Sequence, residues 1–381
     1  MSATPLDIAQ ALVRIPSVNP HYDAASPGEG AVVDWLEAWG RGQGLAPERQ
    51  AVLPARDNIF FVLANGEGPH LLLNGHTDTV SVAGMRIDPF GGEVREGRLW
   101  GRGAADMKGP LACMLSTLLQ LRASPGTWRG TLTVGCVVDE ETQYRGILAL
   151  LRRPAHYDYA VVGEPTRGRV VRGCKGSFRF SLRAAGRAAH SSEPHKGCNA
   201  ILGMARALPV LAEFFETGLR QFSREGFGPS TGSVSLIDGG SGINIVPDQC
   251  RVQVDIRTVP GQDCAATYEA MQAHVRERCV GLAGVTLAFD NPPAHSSPAF
   301  ETPGAHPLVR TACALTGQAA SDVVAFGCDA SKLSACGVPS IIFGPGDIAQ
   351  AHTADESIAL TDLEAGAESY VRLARALLPP R

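Results

Sequence analysis

Short apolar runs alternate with helical patterns over the first 174 residues. The runs NIFFVLA, HLLLNGH, TLTVGCVV and YAVV are nearly continuous, and the segments between them repeat apolar residues at helical spacing. Apolar strands separated by helices are typical of a buried, mostly parallel sheet with helices on both faces. The first helix is predicted to begin at Pro5, because Thr4 can cap it and Asp7 lies three residues beyond that cap.

The pattern changes after Lys175. The segment SFRFSLRAAG alternates like a half-exposed strand, and the long helical stretch that follows contains Pro209, which is expected to kink or divide it. Two more strands, a second helix and the strand GVTLAFD complete the order β-α-β-β-α-β of a ferredoxin-like α+β module. The sequence therefore predicts an α/β catalytic domain in two parts, interrupted by an inserted domain: residues 1–174 and 293–381, and residues 175–292.

The composition argues against some classes of binding partner. Lys and Arg number 34 against 38 Asp and Glu, so the net charge of −4 gives no electrostatic basis for binding nucleic acid. The chain contains no apolar run of the ~20 residues that a membrane helix needs, and its first residues do not resemble a signal peptide. Ten scattered cysteines without a CxxC pair fit reduced thiols. We therefore expect a cytoplasmic protein without nucleic-acid or membrane partners.

Metal-competent side chains follow the predicted strands or precede a helix. Ligands of open α/β sheets bind outside the carboxyl ends of the strands, so these side chains are expected to meet there. The loop GRGAADMKG fits neither glycine-rich phosphate motif, which leaves its acidic residue for another use. The side chains concerned are His76, Asp78, Asp106, Asp139, Glu140, Glu141, Glu164 and His352.

Clustered carboxylates repel one another, and a pair of divalent cations would remove that repulsion. Two such ions balance the charges of Asp106, Glu141, Glu164 and one hydroxide, with His76 and His352 as neutral ligands. Imidazole and carboxylate together suit zinc, and cobalt or manganese can substitute for it.

Two acidic residues beside the predicted ligands remain for other roles. Glu140 is then free to act as general base. Asp78 is expected to hydrogen-bond the second imidazole nitrogen of His76.

The blocks that carry these residues resemble the acetylornithine deacetylase and succinyl-diaminopimelate desuccinylase family of zinc metallopeptidases. The resemblance covers essentially the whole chain and implies a zinc-exopeptidase-like domain with an inserted lid and dimerisation domain. The matching blocks are HTDT (76–79), GRGAADMKG (101–109), AAHSSEP (188–194), DEE (139–141), GEPT (163–166), GGSGINIVPD (239–248) and GPGDIAQAHTADE (344–356).

The resemblance also implies a role for each ligand. Glu140 would be the general base, and the peptide bond between Asp106 and Met107 would be cis. The implied ligands are Asp106 for both metals, His76 and Glu164 for one metal, and Glu141 and His352 for the other.

In the inserted domain, the resemblance implies three residues that act on the substrate. His190 would stabilise the oxyanion, reaching into the partner's site of a homodimer formed through this domain. Asn244 and Arg257 would hold the substrate, with Arg257 gripping its carboxylate. Arg257 could instead pair with Asp255 or Asp248.

The function predicted is hydrolysis of the amide bond of an N-acyl amino acid or small peptide, by a hydroxide that bridges the metals. The block GPGDIAQAH resembles the acetylornithine deacetylases most, so N-acetylornithine is the first substrate expected. Succinyl-diaminopimelate desuccinylase and carboxypeptidase or dipeptidase activities remain alternatives. A non-catalytic binding module is a remote alternative, and a nucleotide-dependent oxidoreductase lacks its glycine motif.

Cys328 departs from the family pattern, because relatives commonly carry a small hydroxyl residue before the acidic one in this loop. The loop is expected to border the substrate pocket, so the change bears on which substrate is chosen. Cys328 is a poor candidate for a nucleophile, since no His or Asn remains to activate it.

Overall fold

The structure is a computed structural model that describes residues 4–290 and 295–380. These residues form two units. The first comprises the described residues up to Gly173, Glu301–Asp322 and those from Cys328 onward, and the second those of Cys174–Phe300 and Val323–Gly327. The predicted boundary between residues 292 and 293 lies outside the described residues.

The described residues form the following helices and strands. The helices are α1 (Pro5–Val13), α2 (Gly30–Gly42), α3 (Gly109–Arg122), α4 (Arg145–Leu150), α5 (Ala200–Phe214), α6 (Cys264–Arg278), α7 (Pro307–Thr316), α8 (Ala330–Ala335) and α9 (Leu360–Leu377). The strands are β1 (Glu48–Leu53), β2 (Arg56–Asn65), β3 (His70–His76), β4 (Glu93–Arg95), β5 (Arg98–Trp100), β6 (Gly130–Val137), β7 (Tyr159–Val162), β8 (Val171–Cys174), β9 (Gly176–Ala185), β10 (Ala189–His190), β11 (Ser223–Arg224), β12 (Gly228–Pro229), β13 (Thr231–Gly239), β14 (Ile245–Val246), β15 (Gln249–Thr258), β16 (Thr286–Phe289), β17 (His295–Ser297), β18 (Phe300–Glu301), β19 (Asp322–Val324), β20 (Ser340–Ile342) and β21 (Ser357–Ala359).

Helix α1 begins where the sequence predicts. The side chain of Thr4 accepts a hydrogen bond from the backbone N–H of Asp7, and the Asp7 carboxylate accepts one from the N–H of Thr4. This reciprocal pair satisfies N–H groups that the first helical turn leaves without a partner.

The main sheet of the first unit has the strand order β1-β2-β6-β3-β7-β20-β8-β18. Its central strands β6, β3, β7 and β20 run parallel, and antiparallel pairs flank them. On β3, Leu71 and Leu73 join the core that contains α3, whereas Asn74 contacts Asp329 at the start of α8 on the opposite face. The predicted mostly parallel sheet with helices on both faces is therefore confirmed.

The second unit contains the order β-α-β-β-α-β predicted for it. Strands β13, β15, β9 and β16 form an antiparallel sheet in that order. Phe178, Phe180 and Leu182 alternate along β9 and pack with α5 and α6 in a core separate from that of the first unit. This alternation follows from the period of two in strands.

The expected division at Pro209 is wrong. Helix α5 runs from Ala200 through Pro209 to Phe214 without interruption. A proline in a helix removes one backbone hydrogen bond and crowds the preceding turn. Here Met204 before the proline and Leu211 after it are both buried in the same core, and their packing holds the two halves in one helix.

None of the helices within the described residues is both long enough and apolar enough to span a membrane.

Candidate metal centre

Three neighbouring parallel strands bring acidic residues and a histidine to one edge of the main sheet. His76 is the last residue of β3, Glu140 and Glu141 follow β6, and Glu164 follows β7. In the ladder, His76 lies opposite Val137 of β6. Because the carboxyl ends of these strands coincide, the side chains that follow them converge, as the sequence predicts.

Asp106 lies between two histidines. Its Oδ1 is 3.1 Å from Nε2 of His76, and its Oδ2 is 3.3 Å from Nε2 of His352. Nε2 of His352 is also 3.2 Å from Oε1 of Glu141. The peptide bond between Asp106 and Met107 is cis, as the resemblance implied. The two carboxylate oxygens of one aspartate thus face two different imidazole rings, which is the arrangement a bridging ligand needs.

The donor atoms form two overlapping groups. In each group, one oxygen or nitrogen atom per residue lies within 4.8 Å of the others. One group is His76, Glu140 and Glu164, and the other is His76, Asp106 and Glu141. Carboxylate and imidazole donors at this spacing fit divalent metal ions of the zinc type. By position, Glu140 could itself be a ligand, so geometry alone does not separate the base from the ligands.

Burial makes the carboxylates costly to charge. It raises the pKa of Glu140 and of Glu164 well above the ordinary value, and neighbouring carboxylates add to the increase. Burial and the charge of Asp106 raise the pKa of Glu141 to about 7. A bound cation would favour the charged form of these carboxylates, so metal binding is expected to release protons.

The pKa values of the two histidines are also raised, because the carboxylates around them favour the protonated imidazole. Burial by itself lowers the pKa of His76, but its hydrogen bond to Asp106 and the surrounding carboxylates raise it well above the ordinary value. Hydrogen bonds to Asp106 and Glu141 raise the pKa of His352 to about 10. Carboxylates outnumber imidazoles in this cluster, and their proximity favours the charged form of both histidines.

The predicted hydrogen bond from His76 to the Asp78 side chain is wrong in one respect. Nδ1 of His76 lies 3.0 Å from the backbone carbonyl oxygen of Asp78 and 3.6 Å from its carboxylate. The carboxylate instead accepts the backbone N–H groups of Glu140 and Glu141 at 3.0 and 3.1 Å. Two adjacent N–H groups satisfy both carboxylate oxygens, so Asp78 fixes the turn that carries those residues.

A buried network behind that turn was not predicted. Asn19 donates to Asp78 and to Asp139 at 2.8 and 3.0 Å. Arg56 pairs with Glu29 at 2.5 Å and with Asp139 at 3.1 Å, and Glu29 also accepts the backbone N–H of Asp139. Asp139 has a positive φ of 65°, a conformation that needs such support. Asn19, Glu29 and Arg56 lie far from the motifs in sequence, which gave no signal for them.

Asp329 is a further buried acid near the site. It is 1% exposed, burial raises its pKa to about 7, and it accepts a hydrogen bond from Asn74 at 2.8 Å. The adjacent Cys328 is fully buried. The sequence block FGCDASKL drew attention to this loop because of its cysteine, whereas the structure draws attention to the aspartate.

The three residues predicted to act on substrate all belong to the second unit. His190 on β10 is exposed, and its Nδ1 lies 2.7 Å from Oγ of Ser192. Asn244 is exposed, and its backbone carbonyl oxygen accepts a hydrogen bond from the backbone N–H of Ser191. Nε of Arg257 is 2.8 Å from Asp255, which is the pairing considered as an alternative from sequence.

Comparisons with known proteins agree with this chemistry. The model of the peptidase family M20/M25/M40 matches residues 72–376. An acetylornithine deacetylase of Erwinia tasmaniensis is 32% identical over 362 residues, which is 93% of this chain and 92% of that protein. An acetylornithine deacetylase of Klebsiella pneumoniae is 32% identical over 92% of each chain.

Solved structures share the fold. A tripeptidase from Staphylococcus aureus superposes with a TM-score of 0.79 at 21% identity, covering 99% of this chain and 98% of that one. A dinuclear metal-binding peptidase from Bacillus subtilis superposes with a TM-score of 0.72 at 15% identity, covering 99% and 98%. At such identities the likeness shows the fold alone.

Proposed function

The chain belongs to peptidase family M20/M25/M40, and we propose that it hydrolyses the acetyl amide bond of N-acetylornithine. Membership of the family makes it a metal-dependent amidohydrolase. The observation that carries the substrate is the relation to an acetylornithine deacetylase over 93% of this chain. A match of that length spans both structural units, which supports the proposed substrate.

We propose that the site holds two divalent metal ions, with zinc as the native metal and cobalt or manganese as possible substitutes. Asp106 would be shared between them, because its two oxygens face different histidines. His76 and Glu164 would complete one ion, and Glu141 and His352 the other. The chemistry that such ions supply is a lowered pKa of water and a polarised carbonyl group.

We propose Glu140 as the general base. Its carboxylate is 8% exposed and lies among the donors His76 and Glu164. A buried carboxylate with a raised pKa is suited to take a proton from the attacking water and to return it to the leaving amine. The turn that Asp78 fixes keeps Glu140 and Glu141 in distinct positions, which supports distinct roles for the two neighbours.

We propose that His190, Asn244 and Arg257 act on the substrate. The N–H of Ser192 donates to Nδ1 of His190, which makes Nδ1 an acceptor and leaves Nε2–H as a donor for an oxyanion. Arg257 would exchange its partner Asp255 for the substrate carboxylate. Arg257→Lys should raise KM more than it lowers kcat, because lysine cannot hold a carboxylate in the bidentate manner.

We propose a homodimer formed through the second unit, with His190 acting in the partner's site. Strand β13 lies at the end of its sheet, and Leu236 and Ile237 on it are each 59% exposed. An apolar edge strand is a template for pairing with another chain. Leu236→Asp should convert the dimer to a monomer in light scattering, and a wild-type protein that is monomeric in that measurement would contradict the proposal.

A cytoplasmic location is also part of this proposal. No disulfide joins cysteines within residues 4–290 and 295–380, which agrees with a reducing compartment.

The experiment that tests the reaction is amine release from a panel of substrates by chelator-stripped protein, with and without added zinc or cobalt. The panel contains N-acetylornithine, succinyl-diaminopimelate, other N-acetyl amino acids and dipeptides. We expect metal-restored hydrolysis of N-acetylornithine with the highest kcat/KM. Preference for a dipeptide or for the succinyl compound would replace the proposed substrate, and metal-independent hydrolysis would contradict the proposed site.

A further inference from the structure

Glu356 lies at the end of the segment that begins with His352, and it is fully buried. Its Oε1 accepts the backbone N–H groups of Ala105 and Asp106 at 2.9 and 3.0 Å. Its Oε2 accepts the N–H of Gly103 at 3.0 Å and Nη1 of Arg102 at 2.7 Å. Both oxygens of this carboxylate thus hold consecutive parts of one loop.

That loop needs an external support. Gly103 has a positive φ of 84°, and the backbone at Asp106 departs from helical angles although it lies between helical turns. Such a segment cannot satisfy its own N–H groups with regular helical bonds. The carboxylate of Glu356 supplies the missing acceptors, and Arg102, itself 3% exposed, balances its charge.

The same segment contacts Asp106 twice. Glu356 binds its backbone N–H, and His352, four residues earlier, lies 3.3 Å from its Oδ2. We propose that Glu356 is a positioning residue: by holding Gly103, Ala105 and Asp106, it sets where the Asp106 carboxylate stands for both metals. This inference rests on the proposed two-metal function. A shared carboxylate must serve two ions at once, so a small displacement weakens both.

Two substitutions separate positioning from charge. In Glu356→Gln the side chain keeps its shape, but its amide NH₂ group faces donors whichever way it is turned. Either Gly103 and Arg102 or Ala105 and Asp106 then lose their acceptor. Glu356→Asp keeps the charge but is one methylene shorter, so it cannot reach all four donors. If the position of the loop matters, both variants bind the metal weakly. If only the charge of residue 356 matters, Glu356→Asp retains the wild-type metal affinity.

The test is a titration of chelator-stripped protein with cobalt. Calorimetry and the visible absorption spectrum of the bound metal monitor the titration. We expect both variants to bind about 10- to 100-fold more weakly than wild type, with an altered spectrum. Hydrogen exchange of the peptide covering residues 101–109 should be faster in the metal-free variants. Glu301→Gln is the control, because Glu301 pairs with Arg172, which belongs to the same unit but lies outside residues 101–109. This control variant should retain the cobalt affinity and the hydrogen-exchange rate of the wild type.

Wild-type affinity and spectrum in Glu356→Gln, or full rescue by Glu356→Asp, would overturn the proposal. Loss of the fold in both variants, seen by circular dichroism, would also overturn it, since Glu356 would then act on stability. None of these measurements uses a substrate. Failure to hydrolyse N-acetylornithine would therefore refute the proposed reaction and leave the role of Glu356 intact.

Discussion

Replacing Glu141 by glutamine should make the metal-free protein more stable at neutral pH. Burial and the charge of Asp106 raise the pKa of Glu141 from 4.5 to about 7, so the folded protein keeps a proton that the unfolded chain has lost. The stability from this group is complete below pH 4.5 and is lost as the pH rises through about 7. A shift of that size corresponds to about 3 kcal/mol in the free energy of unfolding.

The assay is urea unfolding of chelator-stripped protein, followed by circular dichroism at pH 4.5 and pH 8. Wild type and Glu141→Gln should be nearly equal at the lower pH, and the variant should be more stable by about 3 kcal/mol at the higher pH. Glu368→Gln, on the exposed face of α9, is the control and should match wild type at both. A difference between wild type and Glu141→Gln that does not change with pH would refute the reasoning.

Adding zinc should reverse the order. Zinc binding raises the free energy of unfolding of the wild type in proportion to the logarithm of the ratio of zinc concentration to dissociation constant. At a ratio of a thousand, the gain is about 4 kcal/mol. The variant lacks a ligand and gains less. A carboxylate that destabilises the metal-free protein and stabilises the metal-bound protein serves metal binding and not the stability of the fold.

Three further predictions concern the same site. Glu140→Gln should leave metal affinity unchanged and lower kcat by about 10²- to 10⁴-fold, and near-normal turnover would remove its role as base. Asn19→Ala should destabilise the protein by about 1–3 kcal/mol in urea unfolding, because Asp78 and Asp139 lose a buried donor, and an unchanged midpoint would count against the network. Mixing inactive Glu140→Gln and His190→Ala proteins should restore about a quarter of the wild-type sites if His190 acts in the partner's site. No recovery in hybrids isolated as dimers would place His190 in its own subunit's site.

Sequence reasoning worked where local pattern decides structure. Parallel strands with apolar interiors end at one edge, so residues that follow them meet there, and His76, Glu141 and Glu164 could be placed together before any coordinates. The cap at Thr4 is equally local, since all its partners lie within three residues. The order of strands and helices in the second unit followed from alternation in a strand and from helical spacing in the helices.

Sequence reasoning failed where contacts between residues distant in the chain determine the structure. Glu356 stood in a matching block, yet its partners lie some 250 residues earlier, and only the fold brings them within 3 Å. The hydrogen bond of Asp78 to His76 is made by the backbone carbonyl, whereas the Asp78 carboxylate binds the backbone N–H of Glu140, 62 residues on. Pro209 was expected to kink or divide a helix, and the helix is not divided there, because burial on both sides of the proline prevailed over local propensity.

The buried acids of the first unit fall into two kinds, and the difference points to the metal site. Asp78, Glu29 and Glu356 accept backbone N–H groups, and the latter two also pair with an arginine, so the protein itself satisfies their charge. Burial raises the pKa of Glu140 and Glu164, as it does for Glu29 and Glu356, but the charge that opposes the increase at Glu140 and Glu164 is that of His76 and not that of an arginine.

Burying carboxylates without donors is unfavourable unless a cation completes them. Glu29 and Asp78 hydrogen-bond the backbone of the turn that carries Glu140. The carboxylates of Glu140 and Glu164 are therefore an argument for a bound cation that does not depend on any relative: burial makes their charged form costly, and a cation at the site would favour it.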